Sequence, residues 1–483
     1  MKDNVHLRLL RSLQANELRR LKLFLRDRWP DLHRLLERLS RHKPDYAPEN
    51  MDPRSIYEYA YPDAAYDAVT FSKRKKALSD KIVAFLLQEE VKDNTLLSKR
   101  LLMQRLAHRH NLGAYHDNSE RMLAELKNAP ESASYYHEAF QYHLLHEYNH
   151  KPPNNDRAND ELIQAKVHQE KAFVFWQLFF ALESKNRTQY REEPSMRLPI
   201  DFDDAYWKPY ISEPGSVLYL LHQLLMLHEG ETKRETFEHL FAKIREQANR
   251  YGQQEQQILV RQLSNFAIGQ YNRGNVEYRP MLFEVQKWAA DEKVFIENGT
   301  LEFQIFLNIV LVACTSQETS FARAFVEEHK GHLTPSFRTD AAHLATAYIH
   351  FHEQQFLEAK RDLENIQRRD YYDFSTRWQS LMLRVEYSLY REGKTDFTEV
   401  ERQGRAFRAF LKNNNYELSA TRQESYQQLI YFILAMAKYR NNVDPLEDTL
   451  KELQSELQVA NVAAKEWMAN ELRLLQNKAR QYG

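Results

Sequence analysis

Glycine is scarce in this chain, with 11 in 483 residues, against roughly 7% in an average protein. Few glycines disfavour hairpin-rich β architecture, whose tight turns need positive φ, and glycine-lined phosphate loops alike. A single cysteine, Cys314, excludes an internal disulfide and a cysteine-rich zinc cluster. Its place at the end of the apolar run 303–313 suits a buried, inert thiol. Charge of one sign is missing too: the formal net charge is −1, which gives no global field for nucleic acid or an anionic membrane. Long hydrophobic runs are absent. The two most apolar, 217–227 and 303–314, are too short to span a bilayer and contain His222, Gln223 or Asn308. The amino terminus is charged from Lys2 onward and lacks the apolar region of a secretory signal. These absences together predict a soluble, cytoplasmic protein.

What is present suits helices. Hydrophobic residues make up 43% and aromatics 12% of the chain, ample material for a buried core. From 298 to 413, helix pairs follow one another with little between them. Leu301, Ile305, Asn308 and Val312 fall on one helical face, and Phe321, Ala322, Phe325 and Val326 on the next. Leu344, Ala347, Tyr348 and Phe351 then pair with Phe356, Ala359, Leu363 and Ile366. Each i, i+3, i+4, i+7 stripe can be buried only against a neighbouring helix, which is how an α-solenoid is built. The expected fold is therefore all-α, a solenoid of antiparallel helix pairs.

Four segments are expected along the chain. Residues 1–93 form a mildly basic helical cap, with leucine stripes at 7–25 and 32–39 separated by Trp29-Pro30. Residues 94–187 carry the first helix pairs, and the polar loop 151–159 is a candidate internal boundary. Residues 188–215, with four prolines, read as an irregular connection. Residues 216–483 form the main solenoid. The repeat is tetratricopeptide-like without being strict: Phe356 and Ala359 sit where a second helix wants them, but Tyr348 precedes Ala359 by two residues more than that consensus allows.

Several local signatures resemble a family of uncharacterised bacterial helical-repeat proteins of about this length. They include Leu13-Gln14-Ala15-Asn16-Glu17-Leu18 with Leu23-Phe24-Leu25, then Tyr61-Pro62, Tyr66-Asp67, Ser79-Asp80 and Phe85-Leu86. Further on come Asn265-Phe266, Asn272-Arg273-Gly274, Asn298-Gly299, Asn308-Ile309 and Asp370-Tyr371-Tyr372. The chain departs at Asp27-Arg28-Trp29-Pro30, where that family has a Ser-Pro and aromatic turn. The resemblance implies a tetratricopeptide-like helical fold and assigns no catalytic activity.

One motif carries specific chemistry. His146-Glu147-Tyr148-Asn149-His150 fits H-E-x-x-H, which on a helix presents two imidazoles for zinc and a glutamate as general base. Glu170 follows at a spacing that resembles the third ligand of thermolysin-like enzymes, and His143 falls near the same face. Against it, Pro152 and Pro153 end the helix just after His150. With 19 histidines, such a match arises by chance in roughly one chain in ten to twenty. Gly393-Lys394-Thr395 lacks the upstream glycine of a P-loop, since Ser388 stands there, and it follows a helix. His329 and His332, with Gly331 and Pro335, read as an inter-helix turn.

The leading expectation is a non-enzymatic scaffold that binds a protein or peptide on a concave face, with no cofactor and no metal. Its anchors would come from the aromatic groups Tyr371, Tyr372, Phe374 and Trp378, or Phe173, Phe175, Trp176, Phe179 and Phe180, with Arg368, Arg369, Arg377 and Arg384 nearby. Core packing is the plainer role for both groups, because their spacing is helical. Two rivals stand beside this reading. One is a zinc peptidase at His146, Glu147 and His150. The other is nucleic-acid binding through Lys73, Arg74, Lys75 and Lys76, since residues 1–110 carry 23 Lys+Arg against 15 Asp+Glu.

Overall fold

The computed structural model of the chain describes residues 5–43, 51–149, 159–188, 201–230, 234–272, 274–367, 371–414, 419–440 and 447–482. Among these residues every named element is helical, and no helix is long and apolar enough to cross a membrane. The chain divides into two compact units. The first comprises residues 1–129 and 134–170, the second 130–133 and 171–483.

In the first unit, α1 (Val5–Ser12), α2 (Ala15–Arg26), α3 (Pro30–Ser40), α4 (Pro53–Ala60) and α5 (Ala68–Asp93) share one core. The leucine stripe expected as one helix over 7–25 is two. The Glu17 carboxylate accepts the Gln14 backbone N–H at 2.7 Å and starts α2 afresh. Trp29-Pro30 does break the chain as expected, because proline at the first position of α3 needs no donor. Asp52, Asp67 and Asn94 cap α4, α5 and the next helix, α6 (Thr95–His108), by accepting backbone N–H groups. The unit continues with α7 (Leu112–Asn128), nearly all of α8 (Ala133–Asn149), and the first residues of α9 (Asp160–Thr188). Gly113 lies in the first turn of α7.

The second unit takes up the rest of α9, then α10 (Lys208–Ile211), α11 (Val217–Glu229), α12 (Arg234–Gln247), α13 (Gln253–Asn272) and α14 (Tyr278–Asp291). It goes on through α15 (Phe303–Thr315), α16 (Thr319–His329), α17 (Pro335–His352), α18 (Phe356–Glu364) and α19 (Tyr372–Arg391). Last come α20 (Phe397–Asn413), α21 (Ala420–Arg440), α22 (Glu447–Val459) and α23 (Lys465–Tyr482).

Left-handed residues reverse the chain between partners. Gln317 (φ 65°) ends α15, with Glu318 N–H donating to Ala313 O at 2.9 Å, and Gln354 (φ 62°) ends α17, with Gln355 N–H donating to His350 O at 2.8 Å. From α10 to α21, each helix packs on the next. Odd-numbered helices also pack on the next odd one: α11 on α13, and α15 on α17, α19, α21 and α23 in succession. Consecutive helices in pairs, with one member of each pair stacked into a row, is the arrangement that stripes on single helices require.

Burial follows the expected stripes at α16 to α18, where Ala322, Phe325, Leu344, Ala347, Phe356, Ala359 and Leu363 are all buried. It departs from them at α15. Asn308 is exposed and Ile305 and Val312 are half-buried, while Phe306, Leu307, Val310 and Ala313 are sealed. A helix apolar over most of its circumference has no stripe to read, and its wet side is marked only by the polar residue.

Candidate functional site

Within the first unit, the first histidine of the H-E-x-x-H segment lies on α8 against α7. His146 Nδ1 lies 3.2 Å from Ser119 Oγ, and its ring stacks on Tyr142 with centroids 5.7 Å apart. Glu147 is buried. Glu170 pairs with Lys166 at 3.2 Å, one helical turn away on α9. His143 Nδ1 lies 2.7 Å from Glu161 Oε2, and the His143 ring stacks on His168. His150 lies outside the described residues. Among the described residues, no three His, Cys, Asp or Glu side chains gather as a metal site would need.

The other sequence-level candidates are placed as follows. On α5, Lys73, Arg74 and Lys76 are exposed, whereas Lys75 is half-buried over the Phe71 ring, and burial pulls its ammonium below the usual lysine range. Cys314 is buried and unpaired, and desolvation pushes its thiol up to about 12. His329 is buried beside Phe325, at the end of α16, and His332 Nδ1 lies 3.0 Å from Gly299 O. Burial holds His329 below the usual histidine range.

The two aromatic groups part company. On α9, Phe173, Trp176 and Phe180 are more than two-fifths exposed, while Phe175 and Leu178 are sealed. Trp176 and Phe180 touch each other, and Phe173 touches Trp207. Core packing therefore fails for three of that group's five aromatics. On α19, Phe374 and Trp378 are buried, and Trp378 Nε1 donates to Leu363 O at 2.8 Å. Tyr371, just before the helix, stays exposed and packs on Phe303 and Phe337. Arg368 and Arg369 lie outside the described residues.

The arrangement richest in convergent polar groups lies along the row of odd-numbered helices. Arg377 on α19 donates from Nε to Asp373 at 3.0 Å and from Nη2 to Asn308 of α15 at 3.0 Å. Two turns further along α19, Arg384 is 7% exposed, with its guanidinium over Phe351 of α17 (5.1 Å) and Trp467 of α23 (6.0 Å). Tyr348 of α17 and Tyr426 of α21 lie near both arginines, and His352 of α17 lies near Arg384. Burial raises the Tyr348 phenol, against the pull of Arg377 and Arg384. Burial, with Arg384 adding to it, drives His352 down to about 4. Sequence order pointed at Arg377 and Arg384 but not at Tyr348, His352, Tyr426 or Trp467 as their company. The spacing of those four carries no mark of chemistry.

No protein-family model, curated protein or solved structure matches this chain.

Proposed function

We propose that the protein is a non-enzymatic, cytoplasmic helical-repeat scaffold. In this reading it is a tetratricopeptide-like α-solenoid with a cap over 1–93, and it holds a protein or peptide partner along the inner face of its odd-numbered helices. The observation that carries the proposal is the unbroken stacking of α15, α17, α19, α21 and α23. A row of parallel-stacked helices offers one extended surface to which each helix contributes a few side chains, and partner affinity then comes from aromatic and arginine anchors.

A photo-crosslinking residue placed at Tyr371, exposed beside the row, tests this against the same residue at Leu357, exposed on α18. The expected result is one reproducible partner captured from cells at Tyr371 and not at Leu357. Capture at neither position would remove the reading. So would about one zinc per chain in purified protein, lost in a His146→Ala/His150→Ala variant and accompanied by metal-dependent peptide cleavage.

A further inference from the structure

Among the described residues, Arg384 is a buried cation with no carboxylate partner, and its side chain makes one hydrogen bond, from Nε to Ser380 O of its own helix at 3.3 Å. Cations nearby are treated differently: Arg377 has Asp373, Lys360 has Glu386 at 2.8 Å, and Arg391 has Glu471. Desolvation is strong enough to pull the guanidinium below its ordinary range. The Phe351 and Trp467 rings offset part of that penalty through their negative faces. They cannot accept the in-plane N–H groups of Nη1 and Nη2, which make no hydrogen bond within the described protein yet are not sealed from solvent. The hydroxyl of Tyr348, a residue only 3% exposed, likewise has no partner among the described residues.

A buried charge left unpaired is among the most destabilising features a fold can carry, and a well-packed apolar residue of similar volume is often better tolerated. Its retention calls for something that binds there. The charges facing Arg384 fix the sign and size of that ligand. His352 is neutral at pH 7, because burial and Arg384 hold it near 4. Burial raises the Tyr348 phenol, and Arg377 is balanced by Asp373. Glu466, on α23 beside Trp467, is engaged by Arg279 at 2.7 Å. What remains is a single positive charge with a planar fork of donors, which matches a carboxylate rather than a phosphate dianion.

We propose that Arg384 of α19, with the Tyr348 hydroxyl of α17, holds a carboxylate of a bound peptide partner. The proposal rests on the scaffold reading above and names the chemistry its partner presents. The carboxylate comes either from an acidic side chain or from a peptide carboxyl terminus, and both have the same fit to the fork.

The test uses the full chain, an Arg384→Met variant that keeps the volume but not the charge, and fluorescein-labelled decaglutamate as probe. Without peptide, Arg384→Met is expected to melt at or above the wild-type temperature, because an uncompensated buried charge has been removed. Decaglutamate is expected to bind wild type and to bind the variant at least about ten-fold more weakly. Amidation of the peptide terminus separates the sources: undiminished binding assigns the site to side chains, and lost binding assigns it to the terminus. A variant that melts several degrees lower would make the arginine structural and overturn the proposal. So would equal binding by both proteins, or no binding by wild type up to about 1 mM. If the Tyr371 crosslink persists undiminished in Arg384→Met, the carboxylate site falls while the scaffold reading stands. If no partner is captured from wild type but decaglutamate binds it, the scaffold reading falls and the anion site stands.

Discussion

Arg279 on α14 donates from Nη1 to both carboxylate oxygens of Glu466 on α23, at 2.7 and 2.9 Å, across 187 residues of chain. Tyr271 of α13 donates to the same carboxylate. The last helix of the second unit is thereby tied to helices near the start of its row. Burial pushes the Glu466 carboxyl up, but the hydrogen bonds from Tyr271 and Arg279 outweigh it and hold the group below the ordinary glutamate range. A depressed carboxylate stabilises the folded form above its unfolded pKa and loses that contribution as pH falls through the folded value. Protection factors at the first turn of α23, which correct for the intrinsic slowing of exchange in acid, should therefore fall below about pH 4.5. Glu466→Gln should show low protection there at every pH. Because Glu466 is half-exposed, the change in global stability should be small.

His352 gives a second pH dependence with a different window. Its folded value near 4 lies below the ordinary 6.5, so between those limits the unfolded chain binds the extra proton. Stability from this group is complete above pH 6.5 and declines as pH falls toward 4, by on the order of 3 kcal/mol at the lower limit. His352→Leu should flatten that part of the pH profile in urea unfolding. An unchanged slope would mean that the imidazole is solvated in the folded protein.

The two tryptophans of the aromatic groups should behave oppositely. Trp378 is 6% exposed and its indole N–H donates to Leu363 O, so Trp378→Ala leaves a cavity and removes one of that carbonyl's donors, costing about 3–5 kcal/mol. Trp176 is 45% exposed, and Trp176→Ala should cost about 1 kcal/mol or less. Paired denaturant titrations of the two variants measure this directly.

Cys314 should be silent toward a thiol reagent in the native protein at pH 8, since burial holds its pKa at about 12 and the thiolate is the reactive form. Reaction should appear only with unfolding. Labelling at the native rate of a free thiol would contradict the packing of α15.

The sequence made the pairing of helices legible wherever a helix is wet on one side. The stripe Phe356, Ala359, Leu363, Ile366 is buried as its spacing requires. Where a helix is apolar nearly all round, as in α15, periodicity pointed to the wrong face. On α9 it grouped sealed Phe175 with exposed Trp176, because aromatic residues score alike on either side of a surface. Arg384 was visible as a basic residue near aromatics. Its lack of a counter-charge was not, because partners such as Arg391 and Glu471 lie 80 residues apart and only folding shows which arginine is left over.

The short reach of most packing in the second unit, helix to next helix and next but one, also bears on how that unit folds. Loop closure over a few tens of residues is fast, so any adjacent pair can start the process and neighbours can add to it in either direction. The Arg279–Glu466 tie reaches much further, since closing 187 residues must wait until the intervening helices have shortened the path. The order of events therefore runs from many independent starts to one late, shared ending.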